Sequence, residues 1–157
     1  MLNGKTVAVV VPAYNEETQI GMVIESMPDY VDRIIIINDK SKDKTKEVIL
    51  DYISKDGQSS ISLKPFPTPV VDNIYNYAEK VVRERDIKEI EHYVPSEIIN
   101  DDPDNSRIIL INHIENGGVG AAIARGYKWC KDHEIDCTAV MAGDGQMDPA
   151  ELEGICT

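Results

Sequence analysis

The sequence predicts an α/β sandwich of Rossmann-like character, built on a mostly parallel sheet. Two observations carry that expectation. Short apolar runs rich in β-branched residues alternate with segments of helical apolar spacing, and each run ends in a polar loop. The runs are Val7–Val11, Ile34–Ile37, Ile108–Ile111 and Ala139–Met141, continuous rather than alternating, as expected of strands covered on both faces.

Helices are expected between them. Residues 18–27 place Ile20, Val23, Ile24 and Met27 on one stripe, 45–52 carry Val48, Ile49 and Tyr52, and 121–129 are alanine-rich with Ile123, Tyr127 and Trp129. Strand alternating with helix implies right-handed crossovers. The interval from about 57 to 105 interrupts this rhythm with KPFPTP, a helical stripe of Val71, Ile74, Ala78 and Val81, and the acidic loop NDDPDN. Thr68-Pro69 supplies a helix start. The interval reads as a partly helical surface subdomain packed by its own stripe, with a lid or an oligomer contact as alternatives.

Composition narrows the partners. At 157 residues, 42% hydrophobic and 28% charged, the chain suits one globular domain. The net charge of −12 repels a polyphosphate backbone, so nucleic acid is not expected. An anionic ligand must then be held by backbone N–H groups, a helix N-terminus or a divalent cation. Cys130, Cys137 and Cys156 have no C-x-x-C spacing and read as free thiols. No signal peptide and no run long enough to cross a bilayer is seen, so a cytoplasmic protein is expected.

Polar residues collect after the strands. Val7–Val11 leads into Pro12-Ala13-Tyr14-Asn15-Glu16, and Ile34–Ile37 into Asn38-Asp39-Lys40-Ser41-Lys42-Asp43-Lys44-Thr45. Ile108–Ile111 leads into a turn with Asn116, Gly117, Gly118 and Gly120, and the last run into Asp144-Gly145-Gln146-Met147-Asp148-Pro149. Each loop alone also fits a turn or a helix cap, as Asp148-Pro149 does. Together they fall at the carboxyl edge of a parallel sheet, where ligands bind. Tyr14 can stack on a base and Asp39 can accept from a base imino N–H. Glycine amides suit phosphate oxygens, and Asp144 can hold Mg²⁺ or Mn²⁺ bridging two phosphates.

These motifs, in this order, resemble the family-two glycosyltransferases with their GT-A fold, and among them the dolichol-phosphate mannosyltransferase-like enzymes. The resemblance covers about residues 5–52 and 107–153. It implies that Pro12, Ala13, Tyr14, Glu16, Asp39, Gly117, Gly118 and Gly120 line a nucleotide site. It also implies that Asp144 coordinates Mg²⁺ or Mn²⁺, with Gln146 and Asp148 as further candidates. The chain departs from the pattern at Asn38, where the first carboxylate of D-D is usual, at Ala142, where the first Asp of D-x-D often stands, and at Val119, often basic.

In that family the acceptor-binding half and the general base follow the D-x-D region. The expectation is therefore a donor-binding, N-terminal part of an inverting glycosyltransferase, with a UDP- or GDP-linked sugar as donor and a polyprenyl phosphate at the inner membrane face as acceptor. His113 and His133 are read as structural or solvated, not as that base. Two alternatives stay open: a sugar-phosphate nucleotidyltransferase, and a non-catalytic Mg²⁺-dependent phosphorylation switch.

Overall fold

Successive residues of each long strand face opposite sides of the sheet, and both sides are apolar. In the computed structural model, which describes residues 2–56, 63, 75, 77–142, 151, 152 and 154, the elements run β1 (Val7–Ala13), α1 (Ile20–Glu25), β2 (Arg33–Asn38), α2 (Thr45–Asp56), α3 (Tyr77–Glu89), β3 (Ser96–Ile98), β4 (Ile108–His113), α4 (Gly118–Asp132) and β5 (Cys137–Val140). The five strands form one sheet in the order β3-β4-β2-β1-β5. β4, β2, β1 and β5 are parallel, and β3 lies antiparallel on the β4 edge. The α/β class with a mostly parallel sheet is thus as the sequence predicts.

Each face has its own core. Val7, Val9 and Val11 of β1 join Ile34 and Ile36 of β2, with Ile20 and Val23 of α1 and Ile49 of α2. Ala8, Val10, Ile35 and Ile37 instead meet Ala122, Trp129 and Cys130 of α4. Ile34 to Ile37 are wholly buried, each contributing roughly 1.5–3 kcal/mol. α4 seats tightly because residue 126 is glycine: a Cβ there would lie 2.3 Å from Val10 Cγ1.

This division places the ligand-accepting edge. β2 leads to α2 on one face while its neighbour β4 leads to α4 on the other, which opens a crevice between their carboxyl ends. Ala13 pairs with Asn38 and Asn38 with Asn112, so the loops leave the sheet at one level.

The interval 57–105 differs from the expectation in two respects. Its C-terminal part joins the sheet: β3 pairs with β4, Asn100 Nδ2 donates to the Ile108 carbonyl at 2.7 Å, and buried Arg33 donates to the Asp104 carbonyl at 2.8 Å. Three residues, Ser-Glu-Ile, are too short for a periodic signal. The helix exists, but α3 buries none of its residues, and Ala78 and Val81 of the expected stripe are exposed. An apolar stripe shows which face a helix offers, not that anything covers it. Val71, Ile74 and the Thr68-Pro69 start lie outside the described residues. Among the described residues no helix is long and apolar enough to cross a membrane.

Candidate functional site

The first two strand-end loops are stitched together before any ligand is considered. Asn15, at φ +53°, turns its backbone so that its N–H donates to Ser41 Oγ at 3.0 Å and its Oδ1 accepts from the Lys42 N–H at 2.8 Å. Asparagine tolerates that left-handed conformation better than most residues. The Glu16 N–H donates to Thr45 Oγ1 at 3.0 Å, and Thr45 Oγ1 in turn donates to Asp43. Asp43 also accepts from the backbone of Thr45 and Glu17. Burial tends to raise its pKa, but these hydrogen bonds outweigh it and hold the carboxyl below the usual 3.8. Ser41, Asp43 and Thr45 of the D-x-S-x-D-x-T pattern are therefore loop fasteners.

Asp39, just after the end of β2, reaches the glycine turn. Asp39 is 4% exposed; its Oδ1 accepts from the Gly117 N–H at 2.9 Å and its Oδ2 from the Gly118 N–H at 2.8 Å. His113 Nδ1 lies 2.8 Å from Oδ1, and since a carboxylate only accepts, Nδ1 carries the hydrogen. Asn116 Nδ2 adds a bond to the Asp39 carbonyl at 3.2 Å. Gly118 sits at φ +86°, and a Cβ at Gly117 would come within 2.5 Å of Val94 Cγ2. The amides expected to face phosphate thus face Asp39 here, while Gly120 opens to free space. Next to this cluster Asn38 Nδ2 donates to Asn112 Oδ1 at 3.1 Å, so the residue in the usual carboxylate position forms a neutral bridge between β2 and β4.

Pro12, Ala13, Tyr14, Glu16 and Asp39 line one cavity of about 150 Å³, closed by Val119 and Ala142. Tyr14 is 42% exposed, its ring accessible. All five residues read from the first two loops therefore meet at one place, joined there by Val119 and Ala142, two of the three positions at which the sequence departs from the family pattern. Gly117, Gly118 and Gly120 form the neighbouring turn and first turn of α4. Asp144, Gln146 and Asp148 lie outside the described residues, and among the described residues no three His, Cys, Asp or Glu side chains gather as a metal site. Sequence reasoning missed Asp39's hold on Gly117 and Gly118, a contact 78 and 79 residues apart along the chain. His113, expected to be structural or solvated, has its side chain wholly buried against Asp39. His133 stacks on Trp129 with ring centroids 4.0 Å apart.

Residues 8–67 match the family model described as Glycosyl transferase family 2. Dolichyl-phosphate beta-glucosyltransferase ALG5A of Trichomonas vaginalis is 41% identical over 56 residues, 29% of this chain and 17% of that protein. Dolichyl-phosphate beta-glucosyltransferase ALG5D of the same organism is 33% identical over 60 residues, 31% of this chain and 18% of that protein. The chain thus spans less than a fifth of the length of these curated relatives. A solved structure, glucosyl-3-phosphoglycerate synthase from Mycobacterium tuberculosis in complex with uridine-diphosphate, shares 38% identity over 31% of this chain and 19% of that one, with a TM-score of 0.29. Over its first two strand-end loops, the chain's resemblance to family-two glycosyltransferases is borne out.

Proposed function

We propose that this chain binds the donor of a glycosyltransferase, a nucleotide-diphosphate sugar, at the carboxyl edge of its sheet. The observation that carries the reading is the single cavity lined by Pro12, Ala13, Tyr14, Glu16 and Asp39. Its volume is below the few hundred Å³ of a site that encloses a whole ligand, and suits a base laid against Tyr14. Uracil and guanine both carry an imino N–H that Asp39 can accept.

The diphosphate would extend toward the turn at Gly120 and toward Asp144, two residues along the chain from the cavity residue Ala142. Mg²⁺ or Mn²⁺ on Asp144 needs few protein ligands, because phosphate oxygens and water complete its shell. Such an ion would supply charge neutralisation for a departing nucleotide diphosphate. The similarity to dolichyl-phosphate glucosyltransferases supports a dolichyl- or polyprenyl-phosphate acceptor at a membrane surface. Attack on the anomeric carbon would proceed by inverting displacement, with a general base deprotonating the acceptor.

A thermal-shift screen of UDP, GDP, their triphosphates and their sugar conjugates, with and without Mn²⁺, tests this reading. Stabilisation by one diphosphate family that requires the cation and disappears in Asp144→Ala supports it. Tighter binding of the triphosphate would favour a nucleotidyltransferase.

A further inference from the structure

A second cavity, of about 340 Å³, shares no residue with the nucleotide cavity. Its wall is apolar: Ile87 at the end of α3, Ile90 in the turn that follows, and Ile98 of β3 line it, and all three keep 38–43% of their surface exposed. The floor is α4. Arg125 and Trp129 both line the cavity and, four residues apart, share one face of the helix.

Both floor residues are buried donors short of acceptors. Arg125 is 7% exposed, and among the described residues its side chain makes one hydrogen bond, from Nε to Ser96 Oγ at 2.9 Å. Among the described residues its two terminal nitrogens have no acceptor. Desolvation by burial lowers its pKa from the ordinary guanidinium value, only partly opposed by the negative field of Asp132. Trp129 is 1% exposed, and among the described residues its buried Nε1 has no hydrogen-bond partner. Donors held away from bulk water are costly to leave unsatisfied, and the Arg125 guanidinium, which lines the cavity, has donors to spare for an acceptor.

The surrounding charges fix the ligand's charge. Lys128 is taken up by Asp132 at 2.7 Å and the Asp86 carbonyl at 2.6 Å, and His133 Nε2 faces Asp104 at 3.4 Å. Arg125 therefore supplies one positive charge without a close carboxylate. Asp104 and Asp132, which also line the cavity, would repel a second negative charge on a ligand.

We propose that this cavity binds a small amphiphilic monocarboxylate, its carboxylate on the Arg125 guanidinium and its hydrocarbon against Ile87, Ile90 and Ile98. Trp129 is the sole tryptophan of the chain, so its emission reports on the site directly. The test titrates the full chain with hexanoate, hexyl phosphate and hexanol. Hexanoate should shift Trp129 emission saturably, with hexanol and hexyl phosphate at least about tenfold weaker. Arg125→Gln should weaken hexanoate about tenfold. Ile90→Asp, at a partly exposed position whose change leaves the core intact, should weaken it by a similar factor. Equal binding of hexanol, tighter binding of hexyl phosphate, no saturable shift with hexanoate, or undiminished affinity in folded Ile90→Asp would each overturn the proposal.

Discussion

Asp39 caps helix α4 from another strand: its Oδ2 accepts from the Gly118 N–H at 2.8 Å, at the first residue of the helix. No side chain within α4 performs that task, since Gly117 stands at its N-cap position. A carboxylate there satisfies amides that the helix itself leaves unpaired and lies at the positive end of its dipole. A base or phosphate entering the cavity therefore meets a carboxylate already holding the glycine turn. Under the proposed function, nucleotide contact would be coupled to the seating of α4.

Asp39→Asn places an NH₂ where two backbone amides and His113 expect an acceptor. The expected cost is about 1–3 kcal/mol in urea unfolding, before any ligand is added. Unchanged stability would show that the cap contributes nothing to the fold and would leave ligand contact as Asp39's main role.

The glycines of α4 separate packing from binding. Gly126→Ala drives a methyl into Val10 and should destabilise by about 1–3 kcal/mol. Gly120→Ala meets nothing within 4 Å and lies inside the helix, so stability should hold or rise by up to about 1 kcal/mol. A Gly120→Ala variant that is stable yet loses nucleotide affinity would place that backbone against the ligand.

The loop fasteners carry an acid limb. Asp43's folded pKa lies below 3.8, so its contribution is fully present above that value and is lost as pH falls through the folded one. The stability gap between wild type and Asp43→Asn should be constant from pH 7 to about 5 and shrink below about pH 4. Urea midpoints at each pH check this. A gap that does not change with pH would mean that the ionised form is not what holds Glu17 and Thr45.

Most of the sheet was legible because buried parallel strands announce themselves as unbroken apolar runs. The expected Ile34–Ile37 and Ile108–Ile111 became β2 and β4 with one or two residues added at their ends. β3 was not legible, since a three-residue edge strand carries neither run nor alternation. Nor was the fate of Ala78 and Val81, because the sequence does not record which helix faces are left uncovered. At the site, residue types on adjacent loops could be read from strand order. Asp39's partners could not, because local pattern does not encode a carboxylate closing on a turn 78 residues away.

Cys130 should be inert. Desolvation pushes its thiol up to about 11, against a partly compensating hydrogen bond with Thr138. Peptide-mapped alkylation at pH 7.5 should leave Cys130 unmodified until denaturant is added, as few thiolates form and the side chain is buried. Modification of Cys130 in the native protein at a rate like that of a free thiol would show that α4 opens readily from β1.

The most direct test of the nucleotide site is calorimetric titration of UDP and GDP, with Mn²⁺, into wild type and Tyr14→Ala. Tyr14 is 42% exposed, so its removal should leave the fold intact while deleting the surface on which a base stacks. The account predicts saturable binding of one diphosphate, weakened in Tyr14→Ala by at least about fivefold, matching roughly 1–3 kcal/mol for a stacked base. Absence of binding to either nucleotide, or equal affinity in wild type and Tyr14→Ala, would contradict it.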